Sequence, residues 1–242
     1  MAQSRSRSSS IDTAFRRIDS GYPGLEQSAR FTAKGTFNKV AGLSLIALAC
    51  AIASWVFVPV GVAFACIFVA FGIVLASWFR MQWAKVLAPA YAVTEGIALG
   101  AISSAYETNW HGIVPVAIVF TTAVFLTCLA LYRTGVVRVS PRMVSLAAMG
   151  AVGILAVGVL SIFISIPGLS SFGPWGIVIG ALCLGVAVLN LFTDFDYVYR
   201  SENMGVAADA EWAAAFAILT ALVLVYLSIL RILASVAGGR RS

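Results

Sequence analysis

Long apolar runs, each close to the length of a membrane-spanning helix, dominate the chain after its first 39 residues. Residues 40–79 carry no charge, and as a single helix they would extend about 60 Å, twice the thickness of the hydrocarbon core. The run therefore predicts two helices, divided at residues 58–61, where Pro and Gly interrupt it. The later runs predict one span at about 86–106, one at about 112–132, two within 143–193 and one at 212–230. The two spans within 143–193 are divided by Pro and Gly at 167–168 and 173–174.

The composition excludes water-soluble proteins. Of the 242 residues, 61% are hydrophobic and 11% are charged, and the mean hydropathy is +0.97, whereas a soluble domain carries about 25% charged residues. Transmembrane β-barrels are built from alternating segments of about 10 residues, which unbroken apolar runs do not match. We therefore expect an all-α membrane protein, a seven-helix transmembrane bundle.

The charged residues divide the chain into a disordered basic tail at 1–39, a transmembrane domain at 40–235 and a short C-terminal tail at 236–242. With a cytoplasmic N-terminus, thirteen of the 16 Lys and Arg residues lie on the cytoplasmic side, as the positive-inside rule favours. Arg231 and the two C-terminal arginines then lie on the other side, and a six-span bundle with a re-entrant last helix is the alternative that avoids this. The net charge of +6 therefore indicates membrane topology and not a nucleic-acid partner.

Glu95 is an acidic residue inside a predicted span, where a charge costs at least about 2.5 kcal/mol. It falls about nine residues into the third span, about 13 Å along the helix axis and near the midplane. Apolar surroundings favour the neutral form of a carboxyl group, so we expect Glu95 to accept a proton. The structural alternative is a protonated Glu that is hydrogen-bonded across a helix interface.

Two aspartates end the sixth span at the inner face. Asp194 and Asp196 are about 200° apart around a helix, so only one of them faces the bundle. Asn190 lies one turn before Asp194 on the same stripe, which assigns the inward face to Asp194 and the headgroup boundary to Asp196. Glu211 opens the last span, where the positive end of the helix dipole favours a negative charge without any further role.

Arg80 is the basic counterpart at the inner end of the second span. Such an arginine commonly anchors a span at the cytoplasmic interface. An Arg and an Asp at equal depth also form a pair, and a pair inside a narrow polar channel blocks it. Because protonation of Asp194 would remove the pair, the two residues predict a pH gate. The candidates for the gate and pore are Asp194, Arg80, Glu95, Glu211, Asn190 and Asp196.

The sequence lacks the residue patterns that common metal, redox and nucleotide-binding sites require. The chain has one His and four Cys, and neither a zinc, redox nor phosphate-loop motif is present. We therefore expect no catalytic residue, no metal, no cofactor and no enzymatic activity. A retinal Schiff base would need a lysine in the last helix, and the only lysines are Lys34, Lys39 and Lys85.

Four segments carry a resemblance to a known family, over about residues 38–235. They are 77–80 (SWFR), 91–100 (YAVTEGIALG), 189–196 (LNLFTDFD) and 226–233 (YLSILRIL). In order and spacing the chain resembles the Bax inhibitor-1 (TMBIM, YccA-like) membrane proteins, particularly the bacterial Bax inhibitor 1-like branch.

The resemblance implies a seven-helix bundle with the last helix at its centre, and a pH-dependent cation leak, chiefly of Ca²⁺. It also implies that an aspartate ending the sixth helix pairs, through an arginine of the second, with an aspartate of the last helix. Asp194 and Arg80 match the first two positions, but Ala221 occupies the third. Glu95 and Glu211 are the acids that would substitute for it.

Three functions follow as hypotheses. The first is a pH-sensitive cation leak or channel, with Ca²⁺ and protons as permeant species, that opens when intramembrane carboxylates are protonated. The second is a proton-coupled transporter of a small solute, with Glu95 as the proton carrier. The third is a non-conducting regulator that binds a membrane partner such as a protease. In each case the expected location is the lipid bilayer of a bacterial plasma (inner) membrane.

Overall fold

A computed structural model describes residues 30–57, 60–79, 83–163 and 174–239. These residues form seven helices, which confirms the predicted helical bundle. Six of the seven are long and apolar enough to cross a membrane, and α2 contains the shorter apolar segment Ala65–Ser77. The helices are α1 (Ala33–Phe57), α2 (Val60–Phe79), α3 (Ala84–Asn109), α4 (Ile113–Arg133), α5 (Pro141–Phe163), α6 (Pro174–Met204) and α7 (Ala210–Gly238).

Several helices extend beyond the predicted spans. Helix α1 begins at Ala33, so residues 33–39, assigned to the tail, are helical; residues 1–29 and 240–242 lie outside the described part of the chain. Helices α6 and α7 continue to Met204 and Gly238, past the predicted ends at 193 and 230. The physical reason is that charge ends the apolar part of a span but does not end a helix, since Lys, Arg and Glu are good helix formers.

Helix α7 occupies the centre of the bundle, as predicted. It packs against α1, α3, α4 and α6. In the most apolar 18-residue stretch of α7, 67% of the stretch is buried within the protein. The same share is 6–39% in the other five helices that are long enough to cross a membrane. Its 29 residues would extend about 43 Å, so α7 is long enough to cross the membrane fully, which favours seven spans over a re-entrant last helix.

Small residues allow α1 and α3 to pack closely. Gly96 and Gly100 lie one turn apart on α3, and both are buried. A Cβ atom at Gly96 would clash with the backbone of Ala47, and one at Gly100 would clash with the backbone of Ala51. This is the small-xxx-small packing of membrane helices, and it fixes the position of α3, which carries Glu95.

Helices α2 and α5 lie at the periphery of the bundle. Among the described residues, α2 packs mainly against α3, and α5 mainly against α6. Neither makes extensive contact with α7 or with the other. The space between these two helices and α7 is a cavity.

Candidate functional site

The cavity has a volume of about 1410 Å³ and is lined by residues of α2, α3, α5, α6 and α7. Along α3 it extends from Ala84, the first residue of the helix, to Glu95, a distance of about 16 Å. Along α7 it extends from Ala213 to Leu227. The cavity therefore reaches from one end of the bundle to its middle.

Three of the six predicted site residues meet at this cavity. Glu95 reaches it from α3, and Asn190 and Asp194 reach it from α6. The one-turn spacing of the last two places them on the same face, and the Asn190 side-chain amide donates a hydrogen bond to the Val186 carbonyl oxygen at 3.0 Å. No hydrogen bond or ion pair joins the Glu95 or Asp194 carboxylate to another residue in the described part of the chain. Two carboxyl groups from separate helices thus share one space.

Tyr91 and Thr220 belong to the same wall of the cavity. Tyr91 lies one turn before Glu95 on α3, and Thr220 lies on α7, where its hydroxyl group donates a hydrogen bond to the Phe216 carbonyl oxygen at 3.0 Å. Sequence reasoning did not select this pair as a part of the site. The only available signal was the i, i+4 spacing of Tyr91 and Glu95, which places both on one helix face.

Ala221 also lines the cavity, and its exposed fraction is 2%. This is the position at which the resemblance implies an aspartate. Its side chain therefore borders the same space as Asp194, although it supplies no charge. Among the described lining residues, Glu95 and Asp194 are the ones with carboxyl groups.

Arg80 lies outside the described residues, so its predicted pairing with Asp194 stays a prediction. Ser77, three residues earlier on α2, lines the cavity. Its hydroxyl group donates a hydrogen bond to the Val74 carbonyl oxygen at 2.7 Å. Of the segment 77–80 that carries the resemblance, Ser77 is thus the residue shown at the cavity.

Asp196 lies away from the cavity, as expected for a residue about 200° from Asp194. Its carboxylate accepts a hydrogen bond from the Tyr132 hydroxyl at 3.1 Å and forms an ion pair with Arg200 at 2.5 Å. Tyr132 stacks on Tyr199 with ring centroids 5.4 Å apart. Asp196 thus joins α6 to α4, and it is not among the residues that line the cavity.

Glu211 also lies outside the cavity, in a cluster that we call the Glu211 clasp, formed by Thr32, Lys39 and Glu211. The buried Glu211 carboxylate accepts hydrogen bonds from the Thr32 backbone N–H at 2.8 Å and the Thr32 hydroxyl at 3.0 Å, and it pairs with the Lys39 ammonium group. The Thr32 hydroxyl in turn accepts a bond from the Gly35 N–H at 3.0 Å, which caps the first turn of α1. Glu211 therefore stabilises the start of α1 as well as that of its own helix.

Further bonds hold the same end of α1. The Ala33 N–H donates to the Glu202 carboxylate at 3.1 Å, and the Phe31 N–H donates to the Val206 carbonyl oxygen at 2.8 Å. Sequence reasoning missed these contacts because the partners are far apart along the chain. They fix the start of α1 to the connection between α6 and α7.

The comparison with protein families agrees with this architecture. The family model described as Bax inhibitor 1 like matches residues 3–238, nearly the whole chain. No curated protein matches the chain.

Proposed function

Because the chain belongs to the Bax inhibitor 1 like family of multi-pass membrane proteins, we propose that it is a pH-sensitive cation leak or channel that conducts Ca²⁺. Protonation of intramembrane carboxylates opens it. One observation carries the proposal: Glu95 and Asp194, from different helices, line one cavity in the middle of the bundle. In this proposal the protein is a transport protein and not an enzyme.

The gate follows from the cost of charge in a membrane. An ionised Asp194 paired with Arg80 closes the path, since a fixed ion pair in a narrow passage blocks ions. Protonation neutralises Asp194, removes the pair and frees the passage, so flux rises as the pH falls. Glu95, deeper in the cavity, takes the place of the aspartate that the resemblance implies at position 221, where this chain has an alanine.

We further propose a bacterial plasma membrane location with the N-terminus in the cytoplasm. In support, Lys39 pairs with Glu211 and Lys85 pairs with Asp209 at 2.7 Å, which brings lysines of α1 and α3 to the bundle end where α7 begins. A basic bundle end is the end that the positive-inside rule assigns to the cytoplasm.

The test is Ca²⁺ flux into vesicles that contain the purified full-length protein and a Ca²⁺ indicator, across a pH series. We expect wild-type flux to increase towards acidic pH. Asp194→Asn, which resembles the protonated form, should conduct at neutral pH and lose most of the pH response. Asp196→Asn is the matched control, because it changes an aspartate two residues away that does not line the cavity. Flux equal to that of protein-free vesicles would contradict the leak and leave the proton-coupled transporter and the non-conducting regulator.

A proton-coupled transporter of a small solute is the second candidate function. Two observations favour it: Glu95 is eleven residues into a helix of 26 residues, and the cavity is far larger than an ion requires. For a transporter, Glu95→Gln should abolish solute uptake that a proton gradient drives, while Ca²⁺ flux stays at background. A leak gives the opposite pattern, because Ca²⁺ flux persists without any solute.

A further inference from the structure

The cavity is larger and more apolar than the passage of a metal ion requires. Its volume of about 1410 Å³ exceeds the range of about 300–1,000 Å³ that is usual for sites of drug-sized molecules. A bound Ca²⁺ takes about six to eight oxygen ligands. Among the described residues no group of three or more His, Cys, Asp or Glu is placed to hold a metal. The volume and the mostly apolar lining suit a larger, apolar molecule.

The side of the cavity between α2 and α5 faces the surrounding lipid. Phe68 of α2 and Val152 of α5 both line the cavity, and their exposed fractions are 51% and 47%. The described parts of the two helices make no extensive contact with each other. An apolar molecule dissolved in the bilayer can reach the cavity through this gap without crossing water.

The acidic residues in the cavity determine the sign of the charge that a bound molecule should carry. Glu95 and Asp194 supply the carboxyl groups of the described lining residues, which include neither Lys nor Arg. Aromatic side chains of Phe71, Tyr91 and Phe216 also line the space, and aromatic faces attract organic cations. A cation with an apolar body satisfies both features, because its charge favours the ionised form of Glu95 and Asp194 and its body meets the wall.

We propose that this cavity is a binding site for a lipophilic organic cation, a quaternary ammonium, phosphonium or amine ion with an apolar body, which enters from the lipid between α2 and α5. The site needs no ion gradient and no gate. A failure of binding therefore leaves the Ca²⁺ leak standing, and an absence of Ca²⁺ flux leaves this site standing.

Binding is tested with radiolabelled tetraphenylphosphonium and the full-length protein in lipid nanodiscs, with empty nanodiscs to subtract partition into lipid. We expect saturable binding to the wild type. The Glu95→Gln and Asp194→Asn double variant should lose about tenfold or more in affinity, because each carboxylate attracts the cation in a low-dielectric space. Asp196→Asn should bind like the wild type, and it controls for the loss of an acid from α6.

Tetraphenylborate, an anion of the same size as tetraphenylphosphonium, distinguishes the effect of charge on binding from the effect of shape. It should not displace the phosphonium ion. Equal competition by the anion, binding that the double variant leaves unchanged, or no saturable binding above empty nanodiscs would each overturn the proposed site. A double variant that fails to fold is recognised by its elution profile, and the single variants, each expected to bind more weakly than the wild type, then decide the question.

The entry route is tested by the rate of association. Val152→Trp narrows the gap between α2 and α5 and should slow association of the phosphonium ion. Val157 is 42% exposed on the same helix but does not line the cavity, so Val157→Trp should leave the rate unchanged. Equal rates in the two variants would overturn entry between these helices.

Discussion

Replacement of Glu211 by Gln keeps the shape of the side chain and removes its charge from the Glu211 clasp. The side-chain amide oxygen still accepts a bond from Thr32, but the amide NH₂ group now meets the Lys39 ammonium group, and both are donors. The side chains of Glu211 and Lys39 are 6% and 23% exposed, so water replaces little of the lost interaction. We therefore expect the variant to remain folded but to be less stable.

The size of the effect follows from the bonds that change. A hydrogen bond to a charged group contributes about 1.5–3 kcal/mol. For a chain of this length, a loss of that size lowers the midpoint of thermal unfolding by about 3–12 °C. The assay is thermal unfolding of the purified protein in one detergent, followed by tryptophan fluorescence or by loss of the monodisperse peak.

The same end of the bundle offers a matched control. Lys85 and Asp209 form an ion pair at 2.7 Å, but their side chains are 51% and 75% exposed. Such surface pairs contribute about 0–1 kcal/mol, so Asp209→Asn should lower the midpoint much less than Glu211→Gln. If the two variants unfold together, or if Glu211→Gln matches the wild type, the Glu211 clasp does not stabilise the start of α1.

Two other substitutions test the helix packing and the alanine at position 221. Gly100→Leu should destabilise the protein by about 1–3 kcal/mol or more, because the backbone of Ala51 occupies the space that a side chain would need there. The control is Gly153→Leu, which should leave thermal unfolding nearly unchanged because a side chain at this position meets open space. Equal effects of the two variants would contradict the close packing. Ala221→Asp places an acid on the wall of the cavity that Asp194 also lines, and we expect Ca²⁺ flux in vesicles to depend more steeply on pH than in the wild type. An unaltered pH profile would count against a role for this position.

The number and order of the helices could be predicted from the sequence because the thickness of a bilayer sets the length of an apolar run. Residues 40–79 are too long and too apolar for one span, and the structure contains two helices there. The ends could not be placed, since a charge marks the membrane boundary and not the helix boundary. Lys34 and Lys39, for example, lie within α1.

The candidate site was partly predictable for a related reason. The spacing of Asn190, Asp194 and Asp196 fixes which side chains share a helix face, so the inward face of α6 follows from the sequence alone. Glu95 reaches the same cavity because of the way α3 packs against α1 and α7. No local sequence pattern reveals this packing. The contact between Thr32 and Glu211 joins residues 179 positions apart, and each of them alone resembles an ordinary helix cap.

We propose that Glu95 and Asp194 act on one shared path. The most direct measurement is a double-mutant cycle on Ca²⁺ flux in vesicles, with Glu95→Gln, Asp194→Asn and the combined variant compared across the same pH series. If the two residues share one path, the effect of the combined variant on the free energy of activation for flux should differ from the sum of the two single effects by more than about 0.5 kcal/mol, the limit for independent sites. Additive effects, or single variants that both match the wild type, would contradict it.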